Sequence, residues 1–258
     1  MGDAARGLAL GVLLLAACER GFLPLGGRFE IGRDPMVVFV GGEGPAGGDL
    51  YALDPSGGGA IPITFSVVGE MRPSLSPDGG SVAFLRGGTL TDSTPASVWV
   101  LNLVNGAERQ VRLPLEAGAP ERVAWSADGS VLVMRTARGV YRAPSPPAPG
   151  GATPLRGPER AVAESSLAVL LGRPAFARVL PCEDPEDLCV ASDSGPPALL
   201  ARDAGEPVRW GDDSVAYLED GRLVVRPVGA GRARHVEWSA VPARPRHFTV
   251  FPGAPGSR

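Results

Sequence analysis

The chain has 258 residues, 44 % hydrophobic and 21 % charged, enough for one large domain or two small ones with a real core. Its net charge of −3, with no long run of one sign, excludes the clustered basic surface of a nucleic-acid-binding protein; all 25 basic residues are Arg, so no lysine is available for Schiff-base or general-base chemistry. Gly (36) and Pro (27) are in excess, which argues against a helical protein and fits short strands joined by tight turns.

At the N-terminus, Arg6 gives a weakly basic start and residues 8–17 form an unbroken apolar stretch ending in small residues. A stretch of about ten residues is too short for a bilayer, which needs about twenty. It closes on Leu15-Ala16-Ala17-Cys18, which resembles the lipobox of bacterial lipoproteins. The resemblance implies a signal peptide over residues 1–17, cleavage before Cys18 and acyl chains on that cysteine. The protein is then exported, membrane-anchored in the cell envelope and periplasm-facing. The competing reading is an ordinary secretory signal, or a buried helix with an incidental cysteine. Glu19 stands where an Asp retains enteric lipoproteins in the inner membrane, so it leans toward the outer membrane. Residues 18–33 read as a Gly-rich tether, unpatterned apart from an expected strand at Phe29-Glu30-Ile31. Fully extended, a tether of about fifteen residues reaches at most about 50 Å.

From residue 34 to 258 the chain repeats itself. Leu75-Ser76-Pro77-Asp78-Gly79 followed by Ser81-Val82-Ala83-Phe84-Leu85 returns as Trp125-Ser126-Ala127-Asp128-Gly129 before Ser130-Val131-Leu132-Val133-Met134, and in worn form at Trp210-Gly211-Asp212-Asp213. A second element is a short strand centred on Tyr51, Trp99, Tyr141, Cys189 and Val224, at intervals of about 48, 42, 48 and 35. A β-propeller blade takes about 40–50 residues. The copy around Trp99 resolves into four strands: one ending near Leu75, then 81–85, 97–102 and 109–113. Asp-Gly between the first two supplies the positive φ of a tight hairpin turn. A lone four-stranded sheet cannot bury both faces, so the units must pack around an axis. The expected fold is therefore an all-β propeller with five legible repeats. Phe248-Thr249-Val250-Phe251 either starts a sixth blade or closes the ring by joining the first.

Pro73-Ser74-Leu75-Ser76-Pro77-Asp78-Gly79 with Val82-Ala83-Phe84 resembles the TolB-type propeller repeat, P-x-W-S-P-D-G followed by I-A-F. The copy from Trp125 to Val133 is also good; those around Phe39, Val179 and Trp210 are degenerate. The resemblance extends over residues 30–250 and implies a TolB-like propeller. Beside the TolB-like family, the expected departures are the lipobox-like segment and the absence of room for an α/β domain ahead of the propeller.

Residues able to carry chemistry are few. Cys182 and Cys189 flank a loop between two expected strands, and an oxidising compartment favours their disulfide over a metal site lacking further soft ligands. Glu183, Asp184, Glu186 and Asp187 crowd that loop without the spacing of a calcium site, and read as a solvated acidic tip. Asp78, Asp128 and Asp212 occupy equivalent turns of different blades, so they are expected to lie apart around the ring as turn formers. His235 and His247 have no metal-spaced partner, no Gly-x-Ser-x-Gly elbow occurs, and no cofactor is expected. The Pro-rich stretch 143–154 reads as a loop within one blade rather than an interdomain linker.

Two functions follow. The first is a non-enzymatic scaffold binding an envelope protein or peptide through the loops between second and third strands: 41–48, 86–96, 136–138, 182–188 and 219–221. Its candidate contact residues are Arg86, Asp92, Glu183, Asp184, Glu186, Asp187 and Glu219. The alternative is an enzyme or glycan-binding protein with a site in the central channel, where convergence from several blades leaves no local motif.

Overall fold

A computed structural model describes residues 25, 27–42, 48–87, 95–126, 128–156, 160, 179–184, 187–190, 196–202, 205–210, 214–220, 222–228, 231–236, 238–239 and 245–254. Cys18, Asp92, Glu186 and Asp212 lie outside these residues.

The described residues form strands and a single 3-10 turn, Leu115–Ala117, beyond one helical position at residue 160. The strands are β1 (Met36–Gly41), β2 (Asp49–Leu53), β3 (Gly58–Gly59), β4 (Ile61–Pro62), β5 (Glu70–Leu75), β6 (Ser81–Arg86), β7 (Ser97–Asn102) and β8 (Glu108–Val111). Next come β9 (Pro120–Trp125), β10 (Val131–Thr136), β11 (Gly139–Pro144), β12 (Thr153–Pro154), β13 (Val179–Pro181), β14 (Leu188–Val190) and β15 (Ala198–Ala201). The last are β16 (Gly205–Trp210), β17 (Ser214–Glu219), β18 (Arg222–Pro227), β19 (Arg234–His235), β20 (Trp238–Ser239) and β21 (Arg246–Phe251).

These strands make antiparallel meanders, each a blade: β21-β1-β2-β4 (I), β5-β6-β7-β8 (II), β9-β10-β11-β12 (III), β13-β14-β15 (IV) and β16-β17-β18-β19 (V). The alternation of side chains along a strand explains how they stack. On β1, Met36, Val38 and Val40 join the core between blades I and II, while Val37 and Phe39 join the core between I and V. On β6, Val82 and Phe84 face blade I; Ala83 and Leu85 face blade III. Leu188, Leu200 and Ala201 of blade IV meet Val215, Tyr217 and Val224 of blade V. Sheets packed face to face from I to II to III and from IV to V to I are those of a β-propeller.

The C-terminal strand decides what the tail does. β21 pairs antiparallel with β1, from Met36 opposite Phe251 to Val40 opposite Arg246, and becomes the innermost strand of blade I. Of the two expectations for this tail, the structure has closure onto the first blade. A second seam lies beside it: β20 pairs in parallel with β3, and Arg234 donates to the Pro55 carbonyl at 3.2 Å. The Pro-rich stretch runs from β11 to β12 of one sheet, as a loop.

The repeat motif acts between blades as well as within them. Trp125 Nε1 donates to the Ser74 carbonyl of the preceding blade at 2.9 Å, and the Leu75 amide donates to Thr249 Oγ1 of blade I at 3.2 Å. Gly79 has φ +67, and a Cβ there would lie 2.8 Å from the Phe251 ring, so both its conformation and its space require glycine. In the turns at Asp78 and Asp128 a Ser and the Asp form one hydrogen-bonded loop. Ser126 Oγ donates to Asp128 Oδ1 at 2.6 Å, and Asp128 also accepts from the Ser130 amide at 3.1 Å and hydroxyl at 2.8 Å.

Those donors, Ser126 first and then Ser130, lower the Asp128 carboxyl from 3.8 to about 2. A depressed carboxylate stabilises the fold above its unfolded value and loses that contribution as pH falls through the folded one. Asp128→Ala should therefore lower the melting temperature at neutral pH, with the difference from wild type closing between about pH 4 and about pH 2. Thermal melts across that range check this; a constant difference would refute the turn's role in acid stability.

The segment expected as a free tether differs from that expectation. Leu25 and Phe29 are buried in the core between blades I and II. The expected strand at 29–31 is instead a tight turn, in which the Arg33 and Asp34 amides both donate to the Glu30 carbonyl at 2.9 Å. Leu25 and Phe29 stand at helical spacing, but the paired glycines between them disfavour a helix, which is why the sequence hides them.

Candidate functional site

In an antiparallel meander the 1–2 and 3–4 turns share one face of the disc, and the 2–3 loops share the other with the crossovers between blades. We term these the turn face and the crossover face. Hydrogen bonds tie the crossover face together. The Gly87 amide donates to the Gly69 carbonyl at 2.9 Å and the Glu70 amide to Gly48 at 3.0 Å; the Ala137 amide donates to Ala119 at 3.1 Å and Thr136 Oγ1 to Ala117 at 2.6 Å. Each bond joins a 2–3 loop to a crossover.

The anticipated acidic tip stands on this face: β15 ends at Ala201, just before β16 opens blade V, so the end of β15 and the antiparallel β13–β14 connection both lie at the crossover end. Cys182 and Cys189 form a disulfide, with Cα atoms 5.2 Å apart, across the β13–β14 connection. The Cys182 amide donates to the Asp187 carbonyl at 3.0 Å and the Asp187 amide to the Asp184 carbonyl at 3.1 Å. The backbone is thus pinned while Glu183 and Asp184 are exposed; Asp187 is half-buried. Glu219 ends β17, half-exposed and opposite Arg222 in the β17–β18 register.

Arg86 is placed otherwise than a contact residue would be. Its side chain is 6 % exposed, beside a fully buried Glu70. Nε and Nη2 donate to Glu70 Oε1 at 3.0 and 2.6 Å, and Nη1 donates to Glu108 Oε2 at 2.8 Å. The guanidinium lies 4.6 Å from the Trp99 ring centroid and 5.1 Å from that of Phe84. Thr64, reached from blade I, donates to the other Glu70 oxygen and accepts from the Leu50 amide at 2.8 Å. Burial raises the Glu70 carboxyl above its ordinary range, with Arg86 opposing the shift. Arg86 therefore clamps the blade I to blade II crossover and presents no donor to a partner.

The sequence reading missed the apolar side of this face. Phe65 and Val67 on the first crossover are 47 % and 90 % exposed, and Leu115 on the next is fully exposed. An alternation count scores such residues as core, so only their position on a crossover gives them away.

The turn face carries a cleft of about 410 Å³ between blades II and III. Asp78 and Asp128 both line it, with Asn102, Asn105, Arg109 and Trp125. The expectation that the repeat aspartates lie apart is thus corrected for this pair: neighbouring blades bring equivalent turns to one cleft. Asp78 is held below its usual range chiefly by the Ser76 hydroxyl at 2.5 Å. The Asn102 and Asn105 side-chain carbonyls are occupied by the backbone amides of Val104 and Ala107, each at 3.0 Å. The exposed Arg109 side chain makes no ion pair or hydrogen bond among the described residues. The arrangement offers donors and acceptors for a small polar ligand. No group of three His, Cys, Asp or Glu suited to a metal ion occurs among the described residues.

No protein-family model matches the chain, and no curated protein matches it. Solved structures do. TolB from Acinetobacter baumannii is 15 % identical, with 83 % of this chain and 66 % of TolB covered and a TM-score of 0.35. The β-propeller domain of the trilobed protease from Pyrococcus furiosus is 11 % identical over 80 % of this chain and 56 % of that one, TM-score 0.35. A chain of the nidogen/laminin complex is 10 % identical, with 85 % of this chain and all of that one covered, TM-score 0.48. The chain thus spans just under two thirds of the length of that TolB. Its likeness to these proteins is one of β-propeller fold.

Proposed function

We propose that the chain is a lipid-anchored protein of the cell envelope whose propeller docks a protein or peptide on its crossover face, without chemistry of its own. The observation that supports this most is the set of exposed apolar side chains, Phe65, Val67 and Leu115, carried on crossovers that hydrogen bonds hold to the 2–3 loops. Large apolar groups on a fixed backbone gain area on binding without a large ordering cost. The pinned acidic tip at Glu183 and Asp184 adds a polar rim that selects basic partners and steers their approach.

Cross-linking in intact envelopes, followed by capture of the anchored protein, is the test. A specific partner should be recovered with wild type and weakened at least about tenfold, the effect of a loss of about 1.4 kcal/mol, by Phe65→Ser, Val67→Ser and Leu115→Ser together. These side chains are exposed, so the variant should keep the wild-type melting temperature. Recovery of no specific partner, or equal recovery by the variant, would sink the reading.

A further inference from the structure

We infer that the anchor seats the propeller with its turn face against the bilayer and its crossover face pointing away from it. This rests on the acylation of Cys18 proposed above. The inference comes from where the N-terminal segment enters the fold. The Leu25 carbonyl accepts from the Arg28 and Phe29 amides and the Glu30 carbonyl from the Arg33 and Asp34 amides, so two successive turns keep buried Leu25 close to Gly32 and Arg33. Met36, which begins β1, and Leu75 and Phe251, which end the innermost strands β5 and β21, mark the turn-face ends of those strands. Two backbone approaches fix the same position. A Cβ on Gly32 would lie 3.0 Å from the Asp78 carbonyl oxygen, and the Ala254 amide donates to the Arg33 carbonyl at 2.9 Å. The chain therefore leaves the propeller from the turn face.

Length then decides the orientation. Only about seven residues separate Cys18 from buried Leu25, a reach of at most about 25 Å. To bring the crossover face to the membrane, the tether would first run outward past a four-stranded sheet, about 15 Å across, and then climb six-residue strands about 20 Å long, with loops beyond. That path exceeds the reach. A free tether of about fifteen residues would reach either face; the burial of Leu25 removes the choice. The docking face is thereby offered to partners away from the anchoring bilayer, and the cleft at Asp78, Asp128 and Arg109 faces the lipid.

The experiment uses the full lipidated chain in phospholipid vesicles, with the photo-cross-linking residue p-benzoylphenylalanine replacing either Val104 or Leu115. Val104 is exposed on the turn between β7 and β8, and Leu115 is exposed on the crossover face. Because tethering raises the effective lipid concentration at the facing side, lipid adducts at Val104 should exceed those at Leu115 by on the order of tenfold. Equal adducts, or an excess at Leu115, would overturn the orientation. A second variant inserts about thirty Gly/Ser residues after Gly21, a flexible spacer long enough to free the disc, and should bring the ratio close to one; a ratio left unchanged would show that the tether does not set it. Mass spectrometry of the N-terminal peptide separates the two claims. An unacylated Cys18 removes the anchor and the orientation together, whereas acylated Cys18 with equal adducts removes the orientation alone.

Discussion

Arg86→Met should lower the stability of the protein by about 3–5 kcal/mol, the usual cost of removing one partner of a buried ion pair. On a chain of this size that is a fall in melting temperature on the order of 10 °C. The size of the effect comes from what remains. Glu70 is fully buried, and without the guanidinium its charge keeps only the Thr64 hydroxyl for support. Burial already raises its carboxyl, and loss of Arg86 removes the main opposing influence. A folded carboxylate raised above its ordinary 4.5 favours the protonated native state, so the variant loses stability as pH rises through the interval from there to the raised value. The deficit relative to wild type should therefore be larger near pH 8 than near pH 5. Adding Glu70→Gln to Arg86→Met should recover part of the loss, because no buried charge is then stranded. Thermal melts of the single and double variants at both pH values decide it. A variant within about 1 kcal/mol of wild type would class the pair with surface ion pairs, against its burial.

The same residue shows where sequence reasoning stopped. An Arg at the end of a strand, followed by two glycines, looks like a loop residue open to a partner. Its true neighbours, Glu70 and Glu108, lie 16 and 22 positions away in the strands on either side of the sheet. Strand pairing sets Glu70 opposite Arg86, and the long guanidinium side chain reaches past β7 to Glu108. By contrast, the apolar centres Tyr51, Trp99, Tyr141 and Val224 fall on the third strands of their blades, β2, β7, β11 and β18, and Cys189 falls on β14, next to the last described strand of blade IV. Position within a repeat is a local property and survives in the sequence. The cleft on the turn face was hidden for the opposite reason: Asp78 and Asp128 look equivalent and therefore separate, yet adjacency in a ring makes equivalent turns neighbours. The disulfide loop was legible because cysteines seven positions apart have little else within reach. Phe65, Val67 and Leu115 were not, since the letters do not say which side of a crossover meets water.

Ending the chain at Pro245 should abolish cooperative unfolding altogether. The tail pattern Phe248-Thr249-Val250-Phe251 suits the innermost strand of any blade, and its antiparallel pairing with β1 fixes it in blade I. There it serves two interfaces at once. Phe248 is buried between blades I and V, and Phe251 between blades I and II. Losing each aromatic costs about 3–5 kcal/mol. The two together match the whole stability of a typical domain, about 5–15 kcal/mol. Truncation also strips β1 of its ladder from Met36 to Val40, leaving a fully apolar strand with an open edge that invites association with other chains. Loss of the sigmoidal thermal transition, with aggregation, is the expected outcome. A synthetic peptide of residues 245–254 supplied in trans should restore part of the transition by adding the missing strand. A truncated chain that melts like wild type, monomeric and without the peptide, would mean that blade I stands without its fourth strand and that the ring is held by the β20–β3 seam and the remaining blade cores.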